Sequence, residues 1–121
     1  LTLEQRVHAF ARKREVEQVL LNLVRNAVEA FRGGKCRGEK TICLSARSFE
    51  SNAIIELSDN AGGLSPENAA GLFDAFPTLG PGGGLGLYLS KSLAERNGGS
   101  LSLIAGYGGS CFRLALPLAA E

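Results

Sequence analysis

Apolar residues recur along this chain in two rhythms, one of a helix and one of a strand. Across residues 15–31, Val16, Val19, Leu20, Leu23, Val24, Ala27, Val28 and Phe31 fall at helical spacing and predict an amphipathic helix. Gly33 and Gly34 follow it, where a helix end needs a residue free to turn left-handed. Residues 40–48 and 53–58 are rich in strand formers and predict a hairpin joined across residues 49–52. A short strand is predicted over residues 6–11, and Ser65, Pro66 and Glu67 read as the cap and first turn of a short helix. Residues 85–97 read as a second long helix with Leu85, Leu89, Ser92 and Leu93 on one side, closed by Gly98 and Gly99. Residues 101–105 and 111–116 predict a second hairpin across Gly106, Gly108 and Gly109. Hairpins between helices argue against a doubly wound parallel sheet. They predict an α/β fold, a two-layer sandwich in which a mixed sheet of about five strands carries about three helices on one face.

Composition narrows the picture. The 121 residues suit one domain spanning residues 1–121. Sixteen are glycine, yet 45% are hydrophobic and no three-residue period exists, so neither collagen nor a disordered linker is meant. The chain has no methionine and starts on Leu1, so it is expected to be a piece of a longer protein. A net charge of +1 gives no electrostatic footprint for nucleic acid or an anionic membrane. The basic runs Arg6, Arg12, Lys13, Arg14 and Arg32, Lys35, Arg37, Lys40 read as solvated edges. No apolar stretch approaches the roughly 20 residues of a membrane span. Cys36, Cys43 and Cys111 lack disulfide or zinc spacing. Cys43 and Cys111 read as small core residues, and a reducing, cytoplasmic setting is expected, even if the parent protein is membrane-anchored.

Three clusters carry candidate chemistry. Gln18, Asn22, Asn26 and Glu29 share a helical stripe away from the apolar face. Gln18 and Glu29 fit a solvent face equally well. Asparagine is a poor helix former, so Asn22 and Asn26 in mid-helix call for another reason, and amide oxygens suit a hard cation such as Mg2+ that shares phosphate oxygens. Asp59, Asn60, Ala61, Gly62 and Gly63 follow a strand, where a carboxylate can accept a hydrogen bond from a ligand amino group. Taken alone, they would make an ordinary turn. Gly80, Pro81, Gly82, Gly83, Gly84, Leu85, Gly86 and Leu87 lead into a helix, and backbone N–H groups at a helix start attract anions. The run is not a P-loop, because no Gly-Lys-Ser/Thr follows.

Taken in order, these clusters resemble the boxes of the GHKL superfamily, the ATP-binding fold of sensor histidine kinases, DNA gyrase, heat-shock chaperones and mismatch-repair ATPases. Asn22 to Ala27 resembles its N box, Asp59 to Gly63 its first glycine box, Phe73 to Phe76 its F box and Gly82 to Leu87 its second glycine box. The stretch from Gly109 to Pro117 is similar to its last strand, so the resemblance covers nearly the whole chain. It is nearest to the catalytic ATP-binding domain of histidine kinases of the nitrogen-regulation type. The resemblance implies the Bergerat fold, with ATP and Mg2+ as cofactors. It implies that Asn26 ligates the metal with Asn22 nearby, and that Asp59 receives the adenine amino group, backed by Ser110. Gly63 would line the base, Gly82 would belong to the phosphate loop, and the amides of Gly84, Leu85 and Gly86 would hold the phosphates, under a lid between Phe76 and Gly82.

The implied reaction passes the γ-phosphoryl group of ATP to a histidine on a separate upstream dimerisation domain, and from there the parent serves a response regulator. His8 lies in the expected first strand and is not that acceptor, so this chain is not expected to autophosphorylate alone. The parent is expected to be homodimeric and this domain monomeric. Gyrase-like members carry a glutamate where this chain has Asn22, which cannot act as a base, so phosphotransfer is expected over hydrolysis. Two alternatives remain at this level: a catalytically weak nucleotide sensor or partner-binding module, suggested by the absence of Lys and Arg from Phe73 to Ser90, and a protein serine kinase of the anti-sigma type.

Overall fold

The first long helix forms where the periodicity places it. In the computed structural model, which describes residues 9, 11–32, 38–62, 73, 86–107 and 109–118, α1 spans Lys13–Phe31. Its basic start is satisfied locally, since Arg12 pairs with Glu15 and Lys13 with Glu17, while Arg32 past its end pairs with Glu29. Val19, Leu23, Ala27 and Phe31 are buried. Val24 and Val28, expected on the same apolar face, are exposed, as is Leu21. The buried arc of α1 is therefore narrower than its hydrophobic arc.

Strands β1 (Ile42–Phe49) and β2 (Asn52–Asp59) form the expected hairpin. Phe49 pairs with Asn52 across a two-residue turn in which Glu50 takes a φ of 55°. Helix α2 (Gly86–Arg96) leads through Gly98 and Gly99 into β3 (Ser100–Tyr107), which returns as β4 (Gly109–Pro117). The strand order is β1-β2-β4-β3 and every described pairing between strands is antiparallel. The described residues thus form a four-stranded antiparallel sheet with two helices, the coarser part of the expected α/β sandwich, and the expected fifth strand and third helix fall mostly outside them. Of the expected first strand only Ala9 and Ala11 are described, and Ala9 makes a single antiparallel bridge to Leu118. The short helix expected from residue 65 lies outside the described residues.

One apolar core joins the layers. Val19, Leu23 and Ala27 of α1 and Leu87 and Ala94 of α2 meet Leu57, Leu101, Phe112, Leu114 and Leu116 of the sheet. The face of α2 differs from expectation: Leu87, Ser90 and Ala94 are buried, whereas Leu89 and Ser92 are exposed. Cys111 is buried as expected, and burial, reinforced by nearby Glu56, pushes its thiol pKa up. Cys43 is not a core residue. It is exposed because β1 is an edge strand and its pairing with Ser58, one position from the core-facing Leu57–Leu44 pair, turns it to the sheet face away from the helices. Glu56 binds Arg47 at 3.1 Å and Arg113 at 2.8 Å, tying β1, β2 and β4 together on that outer face. Among the described residues no helix is long and apolar enough to cross a membrane.

Candidate functional site

The two helices run antiparallel, and side-chain bonds fix their register. At one end Asn97, just past α2, accepts the backbone N–H of Arg12 at 2.8 Å and donates to Glu15 at 2.9 Å. Further along α1, Asn22 meets Gly86 and Ser90 at the start of α2. The short connection from α2 to β3 puts Asn97 near the end of the sheet where Ser100 pairs with Ala115. The start of α2 and the second half of α1 therefore lie toward the opposite end, where β2 finishes at Asp59 and β4 begins at Gly109. Topology brings Asn22, Asn26, Gly86, Asp59 and Ser110 to one end of the sandwich.

Asp59 is buried at 7% exposure, a rare place for a carboxylate without a purpose. Its Oδ1 accepts the backbone N–H of Ala61 at 3.0 Å and that of Ser110 at 3.3 Å. The turn beyond it is held open by Gly62, whose φ of 104° suits glycine. The contact from Ser110 to Asp59 is made by the main-chain amide of Ser110. Gly109, read from the sequence only as part of a turn and of the final motif, proves essential to this arrangement. A Cβ there would lie 1.7 Å from the Asp59 carbonyl oxygen, so β4 can approach the backbone at the end of β2 only through a glycine. Asn60 acts structurally: its Oδ1 accepts the Thr41 N–H at 2.8 Å and its Nδ2 donates to the Glu39 carbonyl at 2.7 Å, tying the approach to β1 onto the end of β2.

Along the seam between the helices, the polar stripe of α1 divides its labour. Gln18 Nε2 donates to Asn22 Oδ1 at 2.9 Å, and Asn22 Nδ2 donates to Ser90 Oγ at 3.0 Å and to the Gly86 carbonyl at 3.4 Å. Both ends of the Asn22 amide are thereby engaged. Asn26, one turn nearer the Asp59 end, is half-buried and its amide bonds no described residue. Glu29 is taken up by Arg32, at 3.2 Å. A Cβ on Gly86 would meet no described atom within 4 Å. Gly63, Gly82, Gly84, Leu85 and the expected lid lie outside the described residues. Phe73 of the expected F box stands edge-on to the core residue Phe112, with ring centroids 6.1 Å apart, and Lys91 Nζ lies 5.4 Å from the Phe73 ring centroid. Among the described residues no group of three His, Cys, Asp or Glu could hold a metal ion.

Residues 11–120 match the family described as histidine kinase-, DNA gyrase B- and HSP90-like ATPases. The chain is 41% identical over 109 residues to the C4-dicarboxylate transport sensor protein DctS of Rhodobacter capsulatus, covering 88% of this chain and 16% of that protein. It is 32% identical over 111 residues to the sensory histidine kinase/phosphatase NtrB of Salmonella typhimurium, covering 86% of this chain and 32% of that one. Among solved structures, the mycobacterial sensor histidine kinase MprB aligns with a TM-score of 0.74 at 20% identity, over 92% of this chain and 75% of that one. Full-length ShkA in complex with AMPPNP aligns with a TM-score of 0.70 at 28% identity, over 88% of this chain and 22% of that one. The chain thus spans between about a sixth and a third of the two sensor proteins it matches.

Proposed function

We propose that this chain, which belongs to the family of histidine kinase-, DNA gyrase B- and HSP90-like ATPases, binds Mg2+ and ATP and supplies the γ-phosphoryl group to a histidine on a separate dimerisation domain of a two-component sensor. The observation that carries this reading is the buried carboxylate of Asp59, held by two main-chain amides at the end of the sheet toward which α2 begins. Fixed through Oδ1, Asp59 offers acceptor capacity to an adenine amino group, with Gly63 beside the base. The start of α2 presents backbone N–H groups and positive dipole character toward phosphates, with Gly82, Gly84, Leu85 and Gly86 as the residues in contact. Asn26 contributes its amide oxygen to the metal, and Mg2+ bound there supplies neutralisation of phosphate charge.

Asn22 supports transfer over hydrolysis. It is a carboxamide with both ends bonded, so it can neither take a proton from water nor turn toward one without breaking those bonds. The phosphoryl group then passes to the acceptor histidine, and from it to a response regulator. In this reading the parent is a homodimer, the present domain is a monomeric module within it, and the segment around Ala9 completes a fifth strand of the sheet.

The experiment is phosphotransfer in trans. The chain is mixed with radiolabelled ATP, Mg2+ and a separately expressed helical-hairpin domain carrying the phosphoacceptor histidine of a homologous sensor. Acid-labile, Mg2+-dependent labelling of the hairpin is expected, slowed about tenfold by Asn26→Ala, which removes one metal ligand. No labelling despite intact nucleotide binding would overturn the kinase reading and leave a nucleotide sensor in its place.

A further inference from the structure

At the Asn22 end of the helix pair the hydrogen bonds meet at Ser90, which no box of the family resemblance contains. Ser90 is fully buried, at 0% exposure, between α1 and α2. Its hydroxyl donates to the Gly86 carbonyl at 2.7 Å, one turn back along its own helix, and accepts the Asn22 amide at 3.0 Å. Asn22 is itself held by Gln18. Four residues therefore form one chain of bonds, Gln18 to Asn22 to Ser90 to Gly86, reaching from the polar stripe of α1 to the first turn of α2. A hydroxyl is the only small side chain that can complete it, because at this point it must accept from one helix and donate to a carbonyl of the other. Alanine would fit the space and leave Asn22 Nδ2 with only its longer bond to the Gly86 carbonyl.

We propose that Ser90 is a positioning residue of the nucleotide site. Through this chain it sets the distance and angle between the start of α2, which faces the phosphates, and Asn26 on α1, which faces the metal. Asn22 is then a brace between helices rather than a ligand of nucleotide or metal. The inference rests on the reading of this end of the molecule as a Mg2+–nucleotide site. It assigns Ser90 to the phosphate and metal half of the site and not to the adenine half, which hangs on Asp59, Ala61 and Ser110 of the sheet.

That division makes it testable. Binding of ADP with Mg2+ is measured by calorimetry and binding of adenosine, which lacks phosphates, by NMR shift titration, for the wild-type protein, Ser90→Ala, Asn22→Ala and the double variant, with thermal melts to confirm folding. Ser90→Ala is expected to weaken Mg2+–ADP about tenfold and to change adenosine affinity less than about twofold. The double variant should bind Mg2+–ADP no more weakly than the worse single variant, because both break one chain of bonds. Unchanged Mg2+–ADP affinity in Ser90→Ala, equal loss of ADP and adenosine, or additive losses in the double variant would each overturn the assignment. If the wild-type protein binds neither ligand, the nucleotide-binding reading falls and the assignment with it. Wild-type binding that ignores Ser90 removes the assignment alone.

Discussion

Replacing Asp59 with asparagine is expected to weaken ATP binding roughly 30- to 150-fold while leaving the fold intact, the size expected for losing a hydrogen bond to a buried charged group. The two side chains are nearly isosteric, and the asparagine carbonyl oxygen can take the place of Oδ1 against the Ala61 and Ser110 amides. That arrangement points the new NH2 group where the second carboxylate oxygen was. Donor then faces donor at the adenine amino group. A guanine base carries an acceptor carbonyl at that ring position, so the same variant should narrow the preference for ATP over GTP. Competition titrations with both nucleotides read the two effects together. An Asp59→Asn protein that binds ATP as tightly as the wild type, with the same base preference, would remove the carboxylate from the site.

Gly109→Ala is expected to be strongly destabilising. Its Cβ would lie 1.7 Å from the Asp59 carbonyl oxygen, 2.6 Å from the Asp59 carbonyl carbon and 2.8 Å from the Asn60 Cα. All three are backbone atoms, so no side chain can swing aside to relieve the clash. The start of β4 must move off the end of β2, and the Ser110 N–H leaves Asp59 with it. Overpacking of this kind costs about 3 kcal/mol, which in a domain of this size lowers Tm by about 10 °C. Nucleotide affinity should fall as well, even at temperatures where the variant is folded. A thermal melt indistinguishable from wild type would show that the approach of β4 to β2 is looser than these distances require.

Much of this was legible in the sequence, for identifiable reasons. The α1 pattern is long and periodic, so its existence and buried core residues Val19, Leu23 and Ala27 follow directly. The paired strands declare themselves through alternation and turns. Asp59 stands at the end of β2, where the sequence puts it, and its burial is what the structure adds. The face of α2 was misread because Leu85, Leu87, Leu89 and Leu93 allow more than one apolar stripe. The residues that settle the choice, Ser90 and Ala94, are small ones that let α1 and α2 approach, and small size carries little hydropathy signal. Ser90 was invisible for the same reason, since a serine in a helix reads as solvent-facing until its partners are known. Gly109 does not stand out among the glycines of a hairpin, because only the pairing of β4 with β2 reveals that it must lack a side chain. Asn22 and Asn26 share one stripe in the sequence, but that Asn22 bonds across to Gly86 and Ser90 is visible only in the structure, because those partners lie more than sixty residues away in the chain.

The measurement that bears most directly on the nucleotide reading is a calorimetric titration of the 121-residue chain with ATP, in the presence and absence of Mg2+. Saturable binding at one site per chain, strengthened by Mg2+ and strongly reduced in Asp59→Asn, is the predicted result. No binding at millimolar ATP with Mg2+, or binding indifferent to both the metal and Asp59, would contradict it.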